Sequence, residues 1–423
     1  MGMDHLAEDL FDEIKGIAAV DAHEHLPTEA SRVAKPLDFF SLFEHYCIGD
    51  LVAAGATGGD FAFWRDKEKP LGERWQRFRP FLSAIRTGGY ARSALIVVRE
   101  LLGFDDLDDE TYEPVSRKLQ EGNTPGVYDR ILKERCNLAA CIQCWHLGEP
   151  FADYFYHLAP GPQAVDVMNQ QKVNQLSRHC DVAVHSLDGL LACMSKIVEG
   201  WRADPTVVGI KSAHAYARSI GFQKTLRGDA ERAFNKILTH ETHSISLHEA
   251  IPLQDFLMFE LTARAAACGL PMVFHTGIQA GNQNRILNTN PLLLQPLLEE
   301  FPDARFDLFH GGMPWVREIA VLAKYFPNVS LNMAWMHIIN PAQARSALSE
   351  WLDMVPNTKI FGFGGDYGIV EKVYGHLRIA QRNIARVLAE KVREGAYSRA
   401  EAGMVARRLM YENPKAFYKL DGI

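Results

Sequence analysis

Eight short apolar runs, rich in β-branched and aromatic residues, recur along this chain. They lie at residues 17–21, 138–145, 154–158, 207–212, 272–275, 306–310, 329–335 and 359–366. Segments with helical periodicity separate most of them, at 188–201, 252–268, 292–300, 315–325 and 342–354. Strands alternating with helices predict a parallel sheet, because a parallel crossover needs a helix-length connection. Eight strands in one series predict a closed (β/α)8 TIM barrel. Only the second-to-third connection, through Gly148-Glu149-Pro150, leaves little room for a helix. Residues 27–135 interrupt the repeat after the first strand and read as a helical insertion, with helices expected over 38–54 and 90–102. A second insertion is expected over 215–250, and the segment 398–409 reads as a closing helix. With no Pro/Ser linker in view, residues 1–423 read as a single barrel domain.

The chemistry-bearing residues cluster at the C-terminal ends of these strands, the face on which barrels of this type build their sites. His23 and His25 close the first run. Residues two apart on a strand share a face, so both imidazoles can reach one ion. With 16 histidines in 423 residues, chance gives about 0.6 His-x-His matches, so the pair needs its context. That context is His275 before Thr276-Gly277, His310 before Gly311-Gly312, and Asp366 after Gly364-Gly365. Three or more imidazoles with a carboxylate form a nitrogen-rich set suited to zinc, with manganese, iron or cobalt as alternatives.

Lys211 ends the fourth run and has three readings: a carboxylate clamp, a carbamylated metal bridge, or a surface group. Arg285, Tyr216, Arg218 and Trp315 lie just past strand ends and are further candidates for holding substrate. Cys141-x-x-Cys144 has zinc-like spacing, but alternation puts the two thiols on opposite faces and no second pair follows, so both read as core. His240, His243 and His248 read as a solvated loop. The chain has no GxGxxG, Walker loop, GxSxG or HExxH.

The pieces VDAHEHL, VFHTG, FHGGMPW and FGGDYG resemble the amidohydrolase superfamily, and most closely its metal-dependent amidohydrolase-2 type barrels. The closing YENPKAFYKL is similar to that branch as well, and the insertion carrying LFEHYCIGDLVAAGA is similar to the organisation of uronate isomerases. The resemblance implies that His23, His25, His275 and Asp366 hold a divalent metal and that His310 polarises substrate or moves a proton. It implies first a hydrolase, in which Asp366 shuttles the proton of a metal-activated water onto a small carboxylate-bearing amide, ester or lactone. A uronate-isomerase-like aldose–ketose isomerase and a non-oxidative decarboxylase are alternatives on the same site. A barrel that binds metal or ligand without turnover is the alternative outside enzymology.

Composition removes other classes. Charged residues are 23% and the net charge is −7, which lacks the basic footprint of a nucleic-acid binder. No apolar run approaches membrane-spanning length, and seven thinly spread cysteines fit a reduced protein better than a disulfide framework. A cytoplasmic enzyme acting on a small, anionic molecule is expected, with pairing through outer helices a further expectation.

Overall fold

The computed structural model describes residues 5–239 and 243–423. It contains eight parallel strands in sequential order: β1 (Ala19–Glu24), β2 (Leu138–Cys144), β3 (Phe155–Pro160), β4 (Val207–Ser212), β5 (Met272–His275), β6 (Phe306–Phe309), β7 (Val329–Asn332) and β8 (Ile360–Phe361). Backbone bonds draw the ring together between β1 and the segment after β8. Ala22 N–H donates to Phe363 O at 3.2 Å, and Asp366 N–H donates to His23 O at 2.7 Å. The fold is a TIM barrel, as the eightfold alternation predicts.

Strand alternation divides the side chains into two sets. On β6, Phe306 and Leu308 face the helices while Phe309 joins Val20, Ile142, Val208 and Val273 inside the barrel. The C-terminal segment reaches this interior as well. Tyr418 and Leu420 lie in the same cluster, and Tyr418 donates its hydroxyl proton to Asp307. Asn332 Nδ2 donates to the same Asp307 oxygen at 2.9 Å.

Helix boundaries follow local capping. The helix before β5 is expected from residue 252 but begins at Leu247. Ser246 caps it, and Glu249 accepts from Ser246 N–H at 2.9 Å, a reciprocal box that satisfies two otherwise unpaired donors. Pro252 is the sixth residue of the helix and lies inside it, where it removes one backbone donor. Gly269, at φ 75°, ends the helix. No helix joins β2 to β3, in keeping with the short connection, and Trp145, His146 and Gly148 turn the chain with positive φ.

The insertion after β1 has its own apolar cluster, built on Phe39, Phe40, Trp64, Trp75 and Phe78. The continuous helix expected over 38–54 is broken. Asp38 caps a single turn, Phe39–Phe43, and a new helix runs Cys47–Ala53. Between them His45 takes a left-handed conformation at φ 65°. The apolar periodicity was right for burial, but the Asp38 cap and the turn at His45 redirect the chain. That break sends His45 and Tyr46 to the barrel mouth. No helix among the described residues is long and apolar enough to cross a membrane.

Candidate active site

Past the ends of β6, β7 and β8, three residues at the C-terminal mouth hold left-handed backbone: His310 at φ 66°, Trp335 at φ 67° and Asp366 at φ 58°. Such conformations cost of order 1 kcal/mol or more each and persist where the surroundings impose them. Here they aim side chains at one another. Asp366 Oδ1 lies 3.2 Å from His25 Nε2 and 3.4 Å from His23 Nε2, and Oδ2 lies 3.7 Å from His310 Nδ1. A tetrahedral zinc site with bonds of about 2.0–2.1 Å has ligand–ligand edges of about 3.3 Å. Ligand atoms of His23, His310 and Asp366 all lie within 4.8 Å of one another.

The protonation states suit a cation. Burial lowers His23 and His275 well below the ordinary imidazole value and brings His310 down to about 4, so the rings are neutral. Burial alone would raise Asp366, but a proton shared with the neighbouring His23, His25 and His310 holds its carboxyl well below the usual range, so the carboxylate ionises before the imidazoles do. Neutral imidazoles and an ionised carboxylate are the forms that bind metal. His275 Nε2–H donates to Ile278 O at 3.0 Å, and His310 Nδ1–H donates to Ala334 O at 3.0 Å. Each neutral ring has then used its only proton. His275 Nδ1 and His310 Nε2 therefore meet at 3.1 Å with two lone pairs, an arrangement that a shared proton or cation relieves. Asp366 Oδ1 is buried without a hydrogen-bond donor, which points the same way. The residues fit a divalent cation.

Two further layers support the cluster. Cys144 Sγ lies 3.3 Å from His23 Nδ1 and 3.8 Å from its Nε2, and it forms a second possible ligand group with His23 and His25. Cys144 and Cys141 do sit on opposite faces, but Cys144 belongs to the site as well as to the core. Asp21 accepts from Gly365 N–H at 2.9 Å and Glu24 accepts from Tyr367 N–H at 2.6 Å, gripping both neighbours of Asp366. Burial pushes Asp21 up to about 6 and Glu24 well above the carboxylate range, so this facing pair shares a proton. Gly365 must lack a side chain, because a Cβ there would stand 1.7 Å from Glu24 Oε1.

A cavity of about 450 Å³ opens above the cluster. His23, His25, His275, His310, Asp366, Lys211 and Tyr216 all line it, as expected from the sequence. His45 and Tyr46 from the insertion and Trp145 after β2 line it too, and sequence reasoning did not single them out. The adjacent His-Tyr in LFEHYC was the available signal, but placing it required the helix break. Three expected substrate contacts do not reach the cavity. Arg218 is buried in an ion pair with Asp255 and also donates to Gln254. Arg285 lies exposed in the loop after β5, and Trp315 is half-buried at the start of the segment after β6. His243 is exposed, as expected of a solvated loop; His248 is exposed but lies in the first turn of the helix that begins at Leu247, and His240 lies outside the described residues.

Residues 213–420 match the amidohydrolase family model. This C-terminal part of the chain is thus similar to the amidohydrolase superfamily. Among curated proteins it is 28% identical over 236 residues to protein fluG of Emericella nidulans, covering 54% of this chain and 27% of that one. It is 30% identical over 134 residues to a uronate isomerase of Phenylobacterium zucineum, covering 30% of this chain and 28% of the relative. The matches thus span little more than a quarter of each curated relative. Among solved structures, a uronate isomerase of Thermotoga maritima superposes with a TM-score of 0.79 over 99% of both chains, at 17% identity. The shared fold includes the insertion.

Proposed function

We propose that this protein is an amidohydrolase-superfamily member and a metal-dependent isomerase that interconverts the hydroxy-aldehyde and hydroxy-ketone forms of an acid substrate. The observation that carries the reading is the broken helix in the insertion, which sets His45 and Tyr46 over the Asp366 cluster. Sugar-acid isomerisation needs groups that move a proton between neighbouring carbons and between their oxygens, and this cavity has them on several sides. The similarity to uronate isomerases, over the whole chain in fold and over 134 residues in sequence, supports the same reading.

A divalent cation held by His23, His25 and Asp366, with His275 or His310 completing the set, would polarise the carbonyl and acidify the neighbouring C–H. Zinc is the first choice, with manganese, iron or cobalt as alternatives. Asp366 is the carboxylate placed to take the carbon-bound proton and return it to the adjacent carbon. His45 Nδ1 accepts from Gly368 N–H at 3.4 Å, which leaves its Nε2–H as a donor to a substrate oxygen. The Tyr216 hydroxyl accepts from Ala280 N–H at 3.1 Å, so its own proton is free to donate. The Tyr46 ring stacks on Trp335 with centroids 4.3 Å apart, which holds its hydroxyl beside Asp366. The carbon-bound proton changes carbon, a hydroxyl proton changes oxygen, and no oxidant is needed.

Hydrolysis, expected first from the sequence motifs, is the second reading. The His275–His310 pair favours it, because such an imidazole pair can stabilise a developing oxyanion. Incubation of metal-loaded protein with uronates and with their lactones in deuterium oxide separates the two. Deuterium appearing on the carbon beside the carbonyl, with lactones untouched, supports the isomerase. Lactone opening without exchange overturns it in favour of hydrolysis.

A further inference from the structure

Lys211 is the one lysine lining the cavity, and no arginine lines it among the described residues. Its side chain points inward from β4 and is 2% exposed. The Nζ atom has no hydrogen-bond partner and rests 3.8 Å from the centre of the Phe309 ring. A ring face recompenses only part of the hydration that a buried ammonium loses. The amine therefore lacks an acceptor, and it lines the same cavity as the Asp366 cluster. The same Phe309 ring lies 4.3 Å, centroid to centroid, from the His23 ring, which places the amine beside the histidine cluster.

We infer that Lys211 binds the substrate's carboxylate at the cavity floor, and that the substrate is a short acid whose carboxylate is attached directly to the reacting hydroxy-carbonyl carbons. This substrate class rests on the isomerase reading above. A uronate carries its carboxylate several carbons from the reacting pair and would need a cation at the rim. The rim offers His45, Tyr46 and Tyr216, while Arg285 is exposed and does not line the cavity and Arg218 is paired with Asp255. A 3-hydroxy-2-oxo acid matches a floor cation beside a metal cluster under aromatic walls. Its isomerisation to the 2-hydroxy-3-oxo acid moves one proton from the hydroxyl-bearing carbon to the carbonyl carbon. A second proton passes from the old hydroxyl to the new one, and nothing is oxidised or reduced overall.

The test is calorimetric titration of the zinc-loaded protein with hydroxypyruvate and with glucuronate, on wild type and on Lys211→Met. Hydroxypyruvate is expected to bind at least tenfold more tightly than glucuronate. Lys211→Met is expected to lose about 10- to 100-fold of that affinity while keeping its zinc, the effect of deleting one charge-assisted hydrogen bond. Equal or tighter binding of glucuronate overturns the inference, as does unchanged binding by Lys211→Met. A second metal equivalent that requires bicarbonate and disappears in Lys211→Met also overturns it, because the lysine is then a carbamate bridge. The wild-type comparison of the two acids needs no variant and decides the question even if Lys211→Met fails to fold. Deuterium exchange is followed in the same samples. Lysine-dependent binding without exchange removes the isomerase reading and leaves the carboxylate site standing, whereas exchange with glucuronate alone does the reverse.

Discussion

At the mouth of the barrel Asp366 is 2% exposed, and deeper in the barrel interior, on β6, Asp307 is fully buried. Burial penalises the charge of both equally, yet they differ in ionisation. Three histidines around Asp366 hold its carboxyl well below the usual range. Asp307 has Tyr418 and Asn332 as donors and is pushed by burial up to about 7. The lesson is that depth sets the cost of a charge, while the neighbours decide whether it is paid by ionisation or by a retained proton. The mouth keeps an anion ready for a cation, and the floor keeps a nearly neutral acid that ties the C-terminal segment to the strands.

The largest effect expected from breaking this contrast is at the mouth. Asp366→Asn should lower turnover by about three orders of magnitude or more, the loss of both a metal ligand and a proton carrier. Far-ultraviolet circular dichroism should be unchanged, and metal analysis should show the ion depleted. Retained activity would detach Asp366 from the chemistry.

The next effect is at the floor and is one of stability. The Asp307 pKa in the fold, about 7, lies above the ordinary carboxylate value, so the folded protein holds a proton that the unfolded chain releases. Stability should therefore fall as pH rises from about 4 to 7, by up to about 4 kcal/mol. Asp307→Asn should flatten that slope in denaturant titrations and be the more stable form at pH 8. An unchanged slope would mean that Asp307 ionises freely in the fold. A smaller effect should follow from Tyr418→Phe, which removes one of the two donors to Asp307. It should raise the Asp307 value further and cost about 1–3 kcal/mol at pH 8, less at pH 5, read from the same titrations. The smallest effect belongs to Arg285→Ala, whose side chain is exposed and outside the cavity. KM should change by less than about twofold, as for a surface substitution; a tenfold rise would bring the loop after β5 into the site.

Much of this contrast was legible in the sequence at the mouth and little at the floor. His23, His25, His275, His310 and Asp366 could be found because strand-end position, period-two alternation and neighbouring glycines are local signals. Asp307 lay in an ordinary apolar run, and its partners Asn332 and Tyr418 are 25 and 111 residues away. Cys144 was read as core because its spacing carries no sign of His23, 121 residues distant. Arg218 and Arg285 looked alike as loop arginines after strand ends; the buried Asp255 that claims Arg218 comes from another helix.

By itself the sequence determined the eightfold barrel, its long insertion and the strand ends that carry histidine and aspartate, because periodicity and turn chemistry act over a few residues. The tertiary structure decided which groups meet. It broke the first helix of the insertion so that His45 and Tyr46 reach the mouth, and it left the Lys211 amine without an acceptor in the barrel. It also gave two equally buried aspartates opposite charge preferences. These outcomes depend on desolvation and on donors brought together from distant segments, and neither is written in any short stretch of chain.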